Sequence, residues 1–148
     1  MDDHPWTREF PGAITVCDAR GILVEMNDSA ERAFAGQGGR KLIGSDLADC
    51  HPEPSRSKFL DLLRIGRETT RGLSQFSSDE NGTVPLPTDK VTPRPIASRQ
   101  TANVYTIEKG GVRKLIYQAP WYRNGQYAGL VELALEIPQA MPHFARDE

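Results

Sequence analysis

Cys50 and His51 stand side by side, and a thiol next to an imidazole can support nucleophilic chemistry. Adjacent residues rarely point the same way, however, and no third group that would orient the imidazole is evident. The pair is therefore expected to be structural. Glu132 and Glu136 form the next candidate. Paired carboxylates do acid–base work only in a cleft. On an open strand face they are solvated or sit opposite Arg113 or Lys114 as cross-strand pairs, which is the expectation here. Cys17 lies in a β-branched run and reads as a small buried hydrophobe. A disulfide from it to Cys50 would need Cα atoms within roughly 7 Å. There is no CxxC spacing, so neither a thiolate metal knuckle nor a thioredoxin-like site is expected. "GQGGR" and "KGG" lack the spacing of a phosphate loop and read as turns. No catalytic set and no metal set emerges, and the chain is not expected to be an enzyme.

The bulk properties narrow the field further. A chain of 148 residues suits one domain with one core. Its net charge of −2 argues against a general nucleic-acid binder, which would show a basic face. The start, "MDDHPWTREF", is acidic and lacks the apolar segment of a secretory signal. No apolar run approaches the roughly 18 residues that span a bilayer. A cytoplasmic protein with reduced thiols is expected, with no contact to membrane or nucleic acid.

Elements must position these residues. "AITVCD" and "ILVEMN" are strand-like, and "ARG" between them turns the chain into a hairpin. Residues 1–10 read as a loose lead-in. "DSAERAF" opens a helix, with Ala30, Ala33 and Phe34 on one side. In "SRSKFLDLLRIG" the apolar positions Phe59, Leu60, Leu62, Leu63 and Ile65 recur at helical spacing, and Gly66 is placed to end the helix. Residues 67–102 are rich in Ser, Thr, Pro and Gly and read as a flexible insertion. "NVYTIEK", "VRKLIYQAPWYR" and "YAGLVELALEI" follow as three strands, joined by "GG" and by the hairpin signal "NG". In the last strand Val131, Leu133, Leu135 and Ile137 alternate with Leu130, Glu132, Ala134 and Glu136. The first set is expected to face the interior and the carboxylates to face out. Residues 138–148 read as a tail. The order implies an α+β fold, a five-stranded antiparallel sheet with short helices covering one face.

With these residues in view, the chain resembles a PAS domain over most of residues 11–137. The resemblance is carried by "ITVCDARGILVEMNDSAERAF", "LIGSDLADCHPEPSRSKFLDLL" and "LIYQAPWYRNGQYAGLVELALEI". It assigns Asp18, Gly21 and Asn27 to the first hairpin and its junction with a helix. It assigns Pro52 to the turn before the long helix, and Asn124, Gly125 and Gly129 to the last hairpin. Asn27 is expected to lock strand to helix by bonding backbone groups of the following turn.

The resemblance implies a sensory or signal-transducing domain without an output module in this chain. It would bind a small ligand or a partner protein, as a homodimer or with a separate signalling partner. The alternative is a constitutive homodimeric module with a filled core. The ligand-pocket candidates are Phe34, Cys50, His51, Leu60, Leu63, Leu115, Tyr117, Trp121, Val131 and Leu133, and the duller reading of the aromatics among them is core or interface. The resemblance also admits haem through an axial His, where His51 precedes the long helix and His4 and His143 lie in the tails. LOV-type flavin chemistry is not expected, because the Asn-Cys-Arg-Phe run of that family is absent. The ligand itself is unknown from these residues.

Overall fold

The computed structural model describes residues 4–75 and 102–147, without the side chains of residues 69–75. Helix α1 (Pro5–Arg8) leads into strands β1 (Ala13–Asp18) and β2 (Leu23–Met26). Helix α2 (Asp28–Ala33), two 3₁₀ turns (Ala35–Gln37 and Gly39–Leu42), helix α3 (Leu47–Cys50) and helix α4 (Ser55–Gln75) follow. Strands β3 (Asn103–Lys109), β4 (Val112–Arg123) and β5 (Gln126–Ile137) complete one antiparallel sheet in the order β2-β1-β5-β4-β3. The two N-terminal and three C-terminal strands thus meet through β1 and β5. The α+β architecture expected from the element order is the one observed.

The helices cover one face. Cys17, Ala48, Phe59, Leu63 and Leu130 form one buried cluster, and Leu23, Met26 and Ala30 form a second. Full burial of a side chain such as Leu63 or Phe59 contributes about 1.5–3 kcal/mol. Leu62 packs beside them, while Leu60, a pocket candidate, points away from the core and is 44% exposed. The helix does not stop at Gly66 but runs to Gln75. A glycine inside a helix costs about 1 kcal/mol relative to alanine. Here it makes room, since a Cβ at Gly66 would run into the Tyr127 ring. The expected insertion therefore starts later than residue 67, and residues 76–101 lie outside the described residues.

The faces of β5 are the reverse of the expectation. Trp121 pairs with Gly129 but Tyr122 pairs with Tyr127, so Ala128 is an extra residue in β5. A bulge of this kind shifts the two-residue alternation by one. Tyr127 and Leu130 then share the helix-covered face although they are three apart. Glu132 and Ala134 follow Leu130 onto the covered side and are half-buried, while Glu136, nearer the end of the strand, is exposed. Val131, Leu133, Leu135 and Ile137 look out on the uncovered face.

In the first hairpin Asp18 closes the turn between β1 and β2. The Asp18 carboxylate accepts from the Arg20 and Ile22 amides at 2.9 and 3.1 Å and from the Arg20 guanidinium at 2.9 Å. Partial burial pulls its pKa up, but the Arg20 guanidinium and these amides outweigh that and hold it below the ordinary value. In the last hairpin Asn124 (φ 50°) and Gly125 (φ 77°) both take positive φ, the conformation of a two-residue primed turn.

Asn27 is 0% exposed and does more than cap α2. Its Oδ1 accepts from the Ala30 amide at 3.0 Å and the Ile14 amide at 2.9 Å. Its Nδ2 donates to the carbonyls of Gly12 at 2.8 Å and Thr7 at 3.1 Å, with Phe10 farther at 3.4 Å. The segment before β1, expected to be loose, is thus tied into the fold. Replacing Asn27 with Ala strands buried amides and carbonyls together. Urea unfolding should show a loss on the order of 3 kcal/mol; a loss below about 0.5 kcal/mol would mean the amide is dispensable.

Candidate functional site

The inward face of β3, β4 and β5 carries an unexpected polar strip. Gln118 is 5% exposed, and its pairs across the sheet are Asn103 on β3 and Glu132 on β5. Asn103 Nδ2 donates to Gln118 Oε1 at 2.9 Å, and Gln118 Nε2 donates to Glu132 Oε2 at 2.6 Å. Tyr105 stands on the same face opposite Ile116, next along the strip. Burial and the negative charge of Glu132 together push the Tyr105 hydroxyl pKa up, so it stays protonated. Buried polar side chains in an otherwise apolar interior must find partners, and here Asn103, Gln118 and Glu132 supply one another's.

Two further groups flank the strip. Cys17 lies opposite Leu130, and burial drives its pKa to about 11, with smaller contributions from Asp18 and Glu132. Tyr127 lies under Gly66, its pKa pushed to about 12, chiefly by burial. Its hydroxyl is buried and has no hydrogen-bond partner among the described residues. A buried hydroxyl without a partner costs roughly 1–3 kcal/mol.

The ten pocket candidates divide three ways. Leu63 sits in the core and Phe34 packs against the second cluster. His51 stacks on Phe59 with ring centroids 5.1 Å apart, and its Nδ1 donates to the Leu47 carbonyl at 2.6 Å. No group of three or more His, Cys, Asp or Glu converges among the described residues. Cys50 is exposed, with Sγ 3.9 Å from the Asp46 carbonyl.

The remaining candidates need correction. Leu60 is exposed because it lies on the far side of α4 from the core. Leu115, Tyr117, Trp121, Val131 and Leu133 share the uncovered face of the sheet, because the bulge at Ala128 sets the opposite set of β5 inward. Glu132, expected in solvent, is on the covered face. The Pro52 carbonyl, between α3 and α4, accepts from the Arg56 amide at 3.0 Å.

Sequence reasoning missed Asn103, Tyr105, Gln118 and Tyr127. The one signal was Gln118 itself, a lone amide inside the apolar run "LIYQAPW".

The uncovered face also holds an open cleft of about 710 Å³ near the β1–β2 turn. Val16, Val24, Trp121 and Val131 line it, with Arg20 and Arg123 at its rim. The Arg123 guanidinium lies 5.3 Å from the Trp121 ring centre, and Trp121 Nε1 donates to the Cys17 carbonyl at 3.0 Å.

No protein-family model matches the chain. No curated protein matches it in sequence. Solved structures do. A C-terminal domain from Streptococcus mutans is 18% identical with a TM-score of 0.51, over 90% of this chain and 81% of that one. A PAS domain from Colwellia psychrerythraea is 18% identical with a TM-score of 0.47, over 92% and 94%. The Aer2 receptor from Vibrio cholerae, a dual PAS-heme oxygen sensor, is 14% identical with a TM-score of 0.46, over 86% and 95%.

The contrast between the thiols is measurable. In the folded protein a thiol reagent at mildly alkaline pH should modify Cys50 at once and Cys17 only on unfolding. Equal rates for both would contradict the burial of Cys17.

Proposed function

We propose that this chain, whose fold is that of a PAS domain, is a cytoplasmic, non-catalytic sensor that binds a small molecule between its helices and the inward face of its sheet. The observation that carries this reading is the buried Gln118, held between Asn103 and Glu132 on the face that α4 overlies. A polar relay in a packed interior costs desolvation, and a filled structural core would do as well with apolar residues. A ligand that exchanges hydrogen bonds with the relay gives it a use. Such a ligand switches the protein only through unequal affinity for two packings of helices against sheet. No helix of the described residues is long and apolar enough to cross a membrane.

The signal would leave through the uncovered face. Val104 is 50% exposed and Tyr117 39%, beside Leu115, Val131, Leu133 and Leu135. From strand spacing and length this face measures roughly 600–800 Å², near what one partner gives to a standard interface. A second copy of this chain or a separate signalling protein would read it.

Two measurements test the two halves. Across a metabolite panel, a ligand at about a hundredfold its Kd should raise the melting temperature by roughly 5–10 °C. Gln118→Leu should keep the fold and erase that shift. If every stabilising compound acts equally on Gln118→Leu, the interior is not the site. For the outward face, Leu133→Arg should turn a sedimenting dimer, or a captured partner complex, into a monomer while leaving stability within about 0.5 kcal/mol. Unchanged assembly in that variant would remove the face from the signalling route.

A further inference from the structure

We infer that the cleft on the uncovered face takes Phe144 from a second copy of this chain, so that two copies exchange the segments that follow β5. The inference rests on the reading of the uncovered face as an assembly surface, and it names what covers one end of that face.

The cleft is shaped for an apolar side chain. Val16, Val24 and Val131 line it beside Trp121. The Trp121 ring is held by the bond from its Nε1 to the Cys17 carbonyl and by the Arg123 guanidinium 5.3 Å from its centre. An aromatic ring already fixed loses little freedom when a second ring packs on it.

The segment after β5 supplies that ring. The Gln139 carbonyl accepts from the Arg113 guanidinium at 3.0 Å, and Gln139 Nε2 donates to the Glu108 carboxylate at 3.1 Å. These bonds start the segment at the β3–β4 turn. Beyond them Met141 and Phe144 are 60% and 77% exposed. The charges are complementary too. Asp18 and Arg20 are joined to each other at the cleft, which also carries Glu25 and Arg123. Phe144 is followed by Arg146 and Asp147, one partner for each.

Reach assigns the ring to a second copy. Arg113 and Trp121 are eight positions apart on β4, roughly 27 Å. The five residues from Gln139 to Phe144 span at most about 18 Å. A segment pinned at Gln139 therefore does not lay Phe144 on its own Trp121. With the uncovered faces together, a twofold axis across the strands sets the β3–β4 turn of one copy over the cleft of the other. One symmetric contact then fills both clefts, with Leu115, Tyr117 and Leu133 at its centre.

Sedimentation and Trp121 emission decide it, in a Trp6→Phe chain where Trp121 is the sole indole. Phe144→Ala should weaken the dimer at least about tenfold and bring Trp121 emission to that of the monomer. Its circular dichroism should be unchanged, since Phe144 is exposed within one copy. Arg123→Asp should weaken the dimer as well, and adding Asp147→Arg should restore it. A peptide of residues 138–148 at millimolar concentration should shift Trp121 emission and split the dimer, and the same peptide with Phe144→Ala should do neither. A dimer unchanged in Phe144→Ala but lost in Leu133→Arg removes the segment and keeps the face as the assembly surface. A dimer unchanged in both variants removes both readings. A chain that sediments as a monomer at every concentration overturns the exchange and leaves the face to a separate partner.

Discussion

The backbones of Cys17 and Gly129 approach so closely that a Cβ at Gly129 would collide with the Cys17 carbonyl. Residue 129 pairs with Asp18 on one side and with Trp121 on the other, at a φ of 146°. Only glycine takes that conformation in that space. The contact sits beside the extra residue Ala128, and together they fix which side of β5 meets the helices. Everything inward follows from this choice: Tyr127 under Gly66, Leu130 against Phe59, and Glu132 beside Gln118. Without the bulge, Val131 and Leu133 would face the helices and the polar strip would have no carboxylate.

The second fixed point is Asn27. One amide group joins the start of α2, the first residues of β1 and the segment that precedes them. Ser29 adds a bond to the Phe10 carbonyl at 2.8 Å, and Arg8 lies 3.5 Å from Asp28. The exposed ion pair contributes little; the buried amide contributes most, because its partners have no water to fall back on. This knot holds the N-terminal edge of the sheet, so the strip on β3–β5 can be read against a fixed frame.

The two faces of the sheet then divide the labour. The covered face carries the polar relay of Asn103, Gln118 and Glu132, and the uncovered face is apolar at Val104, Leu115, Tyr117 and Leu133. Within these three strands, polar side chains on the covered side and apolar ones in the open invert the usual preference.

Local chemistry made the fold legible in the sequence. The β-branched runs, the Asn-Gly turn, Asp18 before its glycine, and Asn27 ahead of a helix each act on neighbours within a few residues, so their types alone specify a hairpin, a cap or a strand. The five strands and the helices between them, with the expected cover on one face, followed from that. The end of α4 did not, because Gly66 answers to Tyr127, which lies 61 residues further along the chain. Nor did the inward face of β5. Alternation reveals that a strand has two kinds of side, but a single extra residue reverses which of them is in. The polar strip was decided at that level, since Asn103, Gln118 and Glu132 become one object only when three strands are laid in register, and register is a property of the assembled sheet.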